Sequence, residues 1–292
     1  MTIKELEEKA NDIREDIIKM LLAAKSGHSA GPLDMADVFT ALYFGGVLHY
    51  DPKNPAMPMR DRFVLSAGHI CPVWYASLAH AGFFPVSELL TLRKLGTRLH
   101  GHPHNEVLPG GENSSGPLGQ GISQAVGMAY AGLKLKKEPW RVYCVCGDGE
   151  TDEGQVWEAA MFAGKNKLRN LTVLVDRNNI QIDGYTEDVM PLEPYKDKWE
   201  AFGWHVLEVD GHNIREVIDA CDEAKAIYEK PTVILCHTIA GKGVDFMEYR
   251  FEWHGVPPDA GEVPGAPHKG EQGKKALEEL RTLGGKIRGE HE

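Results

Sequence analysis

The chain has 292 residues, enough for one large α/β domain or two small ones, and its 42% hydrophobic and 26% charged content is that of an ordinary soluble globular protein. Its 43 acidic against 32 basic residues leave a net charge of −11, which argues against broad binding to nucleic acid or anionic membranes. A phosphorylated ligand would be neutralised by a bound metal rather than by a basic surface. The five cysteines (Cys71, Cys144, Cys146, Cys221 and Cys236) are odd in number and lack metal-type spacing, which speaks against a disulfide framework. No apolar run reaches about 18 residues, and residues 1–20 are charged and helical rather than secretory in pattern. The expectation is a cytoplasmic protein.

Residues 3–25 read as a helix. Thr2 can cap it, and Leu6, Ala10, Ile13, Ile17 and Leu21 recur along one face before Ser26-Gly27-His28 ends it. A second amphipathic helix is expected over 34–44. Arg62-Phe63-Val64-Leu65-Ser66 is a buried-type strand, and Ala67-Gly68-His69 turns into a helix that runs to about residue 81. Residues 100–121 have no clear period. They open with His100-Gly101-His102-Pro103-His104 and close with Gly116-Pro117-Leu118-Gly119-Gln120-Gly121, and a loop this long in a compact domain is usually functional or disordered. An Ala- and Gly-rich helix over 120–136 reads as tightly buried.

A βαβ series follows, with strands at 141–146, 171–176, 204–209 and 232–237 and helices near 154–168, 194–202 and 213–229. Strands alternating with helices predict an α/β fold, a parallel sheet with helices on both faces, right-handed connections and ligands at the carboxyl ends of the strands. Cys144 and Cys146, at period two, share a strand face and read as packing residues. Residues 244–269, rich in Gly, Pro and His, read as an irregular surface segment, and a last helix spans 271–284. With no repeat and no interior linker, one domain is expected over 1–292.

The most informative stretch is Cys146-Gly147-Asp148-Gly149-Glu150-Thr151-Asp152-Glu153-Gly154, with Asn178-Asn179-Ile180 beginning 30 positions after Asp148. It reads as strand, Gly-Asp-Gly turn, helix, strand, asparagine turn, so a carboxylate and an amide oxygen stand at the ends of two neighbouring strands. Gly147 and Gly149 let backbone N–H groups approach a diphosphate, and the following helix offers its positive end to an anion. Asp148, Asn178 and the Ile180 carbonyl supply oxygens for Mg²⁺ or Ca²⁺, with diphosphate and water completing six ligands. A dinucleotide reading is disfavoured: Gly147-x-Gly149-x-x-Asp152 lacks the third glycine, although Asp176 could imitate the ribose acid. A Walker A motif is absent. Several histidines lie in turns or beside glycines, among them His28, His69, His100, His102, His104 and His254, and their titration range suits proton transfer near neutral pH. His100-x-His102-x-His104 could suggest zinc, but Pro103 and the lack of a further Cys/His cluster count against it. Lys242, just after a strand end, could meet a phosphate or be a solvated loop lysine. Trp253 could be packing or a substrate contact.

Gly147-Asp148-Gly149 with Asn178 resembles the thiamine diphosphate motif. The surrounding text resembles transketolase: Ser26-Gly27-His28, Asp61-Arg62-Phe63-Val64-Leu65-Ser66-Ala67-Gly68-His69, Gly101-His102-Pro103, Gly116-Pro117-Leu118-Gly119-Gln120-Gly121 and Trp253-His254-Gly255 run in family order across nearly the whole chain. The resemblance implies the diphosphate-binding domain of the thiamine diphosphate-binding fold. It implies that Asp148, Asn178 and the Ile180 carbonyl bind Mg²⁺. Gly149 would bind the diphosphate through its backbone, with Gly147 and Lys242 in the same cofactor-binding group. Gly116, Leu118 and Ile182 would lie against the cofactor, and Glu153 near the interface joining paired sites. His69 and His254 would contact the diphosphate and the reacting sugar, and His28 and His102 would position hydroxyls and move protons.

A complete transketolase is roughly twice this length, and the activating glutamate of that family comes from a pyrimidine-binding domain for which no residue here can stand. The resemblance therefore implies the N-terminal subunit of a split transketolase, a C-terminal partner subunit in an α2β2 assembly, and two-carbon ketol transfer between sugar phosphates in the pentose phosphate pathway. Rivals are a subunit like that of deoxyxylulose-phosphate synthase or the alpha chain of a 2-oxoacid dehydrogenase, a transketolase for unusual sugars, and a non-catalytic paralogue.

Overall fold

Thr2 opens α1 (Ile3–Ala24) with a capping box. Its hydroxyl accepts from the Glu5 amide at 3.3 Å, and the Glu5 carboxylate accepts from the Thr2 amide at 2.7 Å. The stripe from Leu6 to Leu21 is buried as its spacing requires. The computed structural model describes residues 1–284, so the part of the one-domain expectation that falls on 285–292 lies outside the described residues.

The single helix expected over 34–44 is instead two, α2 (Ala30–Asp34) and α3 (Ala36–Phe44), broken at Met35, whose φ of −80° and ψ of 1° are not helical. Pro32 sits in the first turns of α2, where a missing N–H costs little, so the chain becomes helical earlier than its amphipathic pattern suggests. Then come β1 (Arg62–Leu65), α4 (Cys71–His80), α5 (Gln120–Tyr130), β2 (Val142–Gly147), α6 (Gly154–Asn166) and β3 (Leu171–Arg177). A short hairpin, β4 (Ile180–Gln181) and β5 (Gly184–Tyr185), leads into α7 (Thr186–Val189), α8 (Tyr195–Ala201), β6 (His205–Asp210), α9 (Ile214–Ala226), β7 (Thr232–His237) and α10 (Gln272–Gly284). The hairpin and α7 have no clear sequence signal, because two-residue strands are too short to show a period.

The five long strands form one parallel sheet in the order β1-β2-β3-β7-β6. Alternate side chains build two cores. Phe63, Leu65, Tyr143, Val145 and Leu174 face the layer of α1, α3, α4 and α9. Val64, Cys144, Cys146, Val173 and Val175 face α5, α6 and α8. Cys144 and Cys146 do share a face, with their Sγ atoms 3.8 Å apart, and all five cysteines are free and buried.

Two further expectations are corrected. The buried helix over 120–136 holds only to Tyr130. Beyond it the turn widens into a π-helix, Ala131–Lys136, whose Lys134, Leu135 and Lys136 are exposed. The segment 244–269 is irregular but not confined to the surface: Val244, Met247 and Trp253 are fully buried in the first core. Trp253 is therefore a packing residue.

Candidate active site at the strand ends

The carboxyl ends of β2 and β3 lie side by side, with Gly147 level with Asp176, and the Asp148 amide donates to the Asp176 carbonyl at 3.0 Å. Both functional turns therefore start from adjacent, hydrogen-bonded strands, and their residues converge on a cleft of about 360 Å³. That is the size of a small-molecule site.

Asp148 is 2% exposed. Its Oδ2 accepts from Arg177 Nη1 at 3.0 Å, from the Asn179 amide at 2.9 Å and from Thr186 Oγ1 at 3.4 Å, whereas Oδ1 accepts, among the described residues, from the Gly149 amide alone, at 2.6 Å. Burial pushes the Asp148 carboxyl up and the Arg177 guanidinium opposes that shift. Oδ1 is the oxygen with capacity left for a cation. Asn178 donates through Nδ2 to Asp34 Oδ2 at 3.1 Å and to Asp176 Oδ2 at 3.0 Å, and its Oδ1 accepts from the Ile180 amide at 3.1 Å. The tight turn at Asn179, with φ of 63°, brings the hairpin back over the strand ends so that Ile180, Gln181 and Ile182 line the cleft. A Cβ on Gly149 would stand 2.8 Å from Gln181 Cγ, so glycine is what lets the hairpin pack on this turn.

The opposite wall is made of imidazoles. The ring centroids of His28, His69 and His254 are 5.0, 5.1 and 5.7 Å apart pairwise. Burial, with the neighbouring histidines and Arg93 adding to it, lowers His28 to about 4. Burial alone lowers His254 to about 4, and burial with the charges of its neighbours takes His69 well below its ordinary value. His102 is lowered too, by burial and by Arg93. All four rings are neutral at pH 7, each with one nitrogen able to donate and one able to accept. Nδ1 of His28 and of His254 is buried without a hydrogen-bond partner among the described residues, as expected of groups built to meet a ligand.

His28, His69, His102, Gly116, Leu118, Gly147, Asp148, Gly149, Asn178, Ile180, Ile182 and His254 all line this one cleft. Glu153 and Lys242 are not in its lining: Glu153 is exposed beside Gly119, and Lys242 is half-buried in the turn after β7. Sequence reasoning missed Glu150, Gln181, Asp183 and Ile70, which also line the cleft. Of these Glu150 lies inside the Gly-Asp-Gly turn text and Gln181 and Asp183 in the stretch that follows Asn178, whereas Ile70 had no signal. It also considered Asp176 only as a ribose acid, whereas the carboxyl is 2% exposed, bonded to Asn178 and Thr238 Oγ1, and pushed up to about 7 by burial.

Among the described residues no three His, Cys, Asp or Glu side chains form a metal cluster. A cation held at Asp148 would take one carboxylate, amide and carbonyl oxygens, and oxygens of the ligand itself. That hard-oxygen set, with buried acids behind it and neutral imidazoles in front, suits a divalent cation carrying a diphosphate.

Residues 6–272 match the family described as transketolase, thiamine diphosphate binding domain. The chain is 46% identical over 252 residues to the 6-deoxy-6-sulfo-D-fructose transketolase subunit SqwG of Clostridium sp. (strain MSTE9), covering 86% of this chain and 91% of that protein. It is 42% identical to an apulose-4-phosphate transketolase subunit of Phocaeicola vulgatus, covering 88% and 91%. The solved transketolase of Leishmania mexicana superposes with a TM-score of 0.86 at 33% identity, covering 98% of this chain and 42% of that one. The chain thus spans less than half the length of the solved transketolases it matches.

Proposed function

The chain belongs to the transketolase family through its thiamine diphosphate binding domain, and on that premise we propose that it is the N-terminal subunit of a split transketolase. It moves a two-carbon ketol unit from a ketose phosphate to an aldose phosphate together with a separate C-terminal subunit. The observation that carries this reading is the meeting of Asp148, Asn178 and three neutral histidines in one cleft at the ends of β2 and β3. Relatives of nearly the same length are named as transketolase subunits, which supports a partner chain carrying the pyrimidine-binding half. We take the assembly to be α2β2.

In this reading Asp148 Oδ1, Asn178 Oδ1 and the Ile180 carbonyl hold Mg²⁺, with Ca²⁺ as the substitute. The Gly147-Asp148-Gly149 turn faces the diphosphate, and Gly116, Leu118 and Ile182 pack against the cofactor. Bound thiamine diphosphate supplies the carbon–carbon bond cleavage and formation. His28, His69, His102 and His254 orient sugar hydroxyls and exchange protons with them, which neutral rings can do in either direction. Lys242 and Glu153 stand outside the cleft wall. Lys242 would reach the diphosphate only by side-chain movement, and Glu153 would meet the neighbouring active site through the assembly. We further take residues 1–292 to act as one domain, supported by one five-stranded sheet with a core on each face. Free buried cysteines support a reducing, cytoplasmic setting, and among the described residues no helix is long and apolar enough to cross a membrane. Work in the pentose phosphate pathway is the ordinary form of this activity. The names of the relatives also favour a second reading, an unusual ketose as donor.

The test is to pull the tagged chain from its native lysate with Mg²⁺ and thiamine diphosphate. A stoichiometric second chain, and transfer activity of that complex on sugar phosphates, is expected. Absence of both overturns the reading.

A further inference from the structure

Asn178 sits at the tip of β3 with its amide held from behind. Nδ2 carries two hydrogens, and two buried carboxylates take them: Asp34 Oδ2 at 3.1 Å, from the end of α2, and Asp176 Oδ2 at 3.0 Å, from β3 itself. Asp34 is fully buried and Asp176 nearly so. Asp176 is fixed in turn by Thr238 Oγ1 at 2.5 Å, from the turn after β7. The other oxygen of Asp34, Oδ1, is buried with no hydrogen-bond partner among the described residues. Among the described residues the Asp34 carboxyl meets this amide and the neighbouring Asp176 carboxyl, an expensive arrangement for packing alone.

An asparagine amide is nearly symmetric in shape, and only its surroundings decide which end faces a ligand. We propose that Asp34, with Asp176, is a positioning residue that locks the Asn178 amide with its oxygen toward the cleft and its NH₂ away from it. The inference rests on the reading of Asp148 and Asn178 as cation ligands. A flipped amide would present two N–H groups to the cation and repel it. Residues that orient metal ligands from behind typically matter by roughly 10–100-fold in metal affinity.

The test titrates Mn²⁺ by electron paramagnetic resonance into the full chain, purified with its complementary subunit, in the presence of thiamine diphosphate. Asp34→Ala removes the acceptor, and Asp34→Leu removes it while filling the volume, so one serves if the other does not fold. Asp34→Asn can still accept from Asn178 through its oxygen. The expected result is Mn²⁺ affinity lowered about 10-fold or more in Asp34→Ala or Asp34→Leu, affinity restored in Asp34→Asn, and binding lost in Asp148→Ala. If Asp148→Ala abolishes binding but the acceptor-free variants keep wild-type affinity, the positioning role is overturned and the cation site stands. Equal loss in Asp34→Asn and Asp34→Ala overturns the role of the acceptor. Unchanged binding in Asp148→Ala overturns the cation site and the inference with it.

Discussion

Glu150 is 3% exposed, and it joins three segments of the cleft. Its Oε1 accepts from the Gly119 amide at 2.7 Å and from Ser66 Oγ, and its Oε2 accepts from the Gly147 amide at 3.1 Å. Those donors belong to the turn into α5, the end of β1 and the end of β2. Replacing Glu150 by Met keeps length and volume but deletes both acceptors. One buried and one half-buried backbone N–H group then lose their partner, at about 1–3 kcal/mol each, while Ser66 can rotate toward another acceptor. Relief of the buried carboxylate and the added apolar contact return part of that loss, leaving a net destabilisation of roughly 2–4 kcal/mol at pH 7. The assay is urea unfolding of wild type and Glu150→Met, comparing midpoints at equal slope. Burial raises the folded-state pKa of Glu150 above its ordinary value. Its stabilising share is therefore complete below about pH 4.5 and declines as the pH rises through the folded value, so the gap between the two proteins narrows toward neutral pH. A gap under about 0.5 kcal/mol at pH 7, within the scatter of a neutral surface change, would refute the view that this carboxylate holds the three segments together. A gap that widens with pH would instead show that the three donors outweigh burial and hold the folded value below the ordinary one.

Asp148→Ala should abolish the Mg²⁺ dependence of thiamine diphosphate binding, read by calorimetric titration, because it removes the oxygen with open capacity and leaves Arg177 facing the cation. His28→Ala and His254→Ala should each lower turnover by roughly 10²–10⁴-fold, as loss of a proton-transfer group does, while cofactor affinity changes far less. Equal loss of cofactor affinity with normal turnover at saturation would contradict those roles. Both rings have folded-state values near 4, lowered from 6.5. The unfolded chain therefore binds more protons between about pH 4 and 6.5, and stability should fall on acidification through that window, by up to about 3 kcal/mol for each ring. A double variant, His28→Gln with His254→Gln, should flatten the stability profile there, and a profile as steep as that of the wild type would show that the rings titrate normally.

Local signals in the chain were strong where they repeat. Alternating strands and helices from Val142 to His237 specify a parallel sheet, since a strand buried on both faces must be apolar throughout and a crossover helix must show one apolar stripe. The Gly-Asp-Gly turn and Asn178 were equally legible, because a tight turn needs glycine and a hard cation needs oxygen, and both needs are written in residue type. His28, His69 and His254 could be suspected singly, yet that they form one neutral cluster was decided by folding: they come from the end of α1, the turn after β1 and the segment after β7, and only packing removes the water that would let them charge. The same holds for Glu150, Asp34 and Asp176. An acid in a sequence reads as surface until the tertiary structure shows it buried, and what it then does depends on which amide the rest of the chain brings to it. Residue type and spacing thus determined the fold class and the two oxygen-bearing turns. The protonation states, and the groups that hold those turns in place, arise from contacts between segments far apart in the chain, and only the tertiary structure decides them.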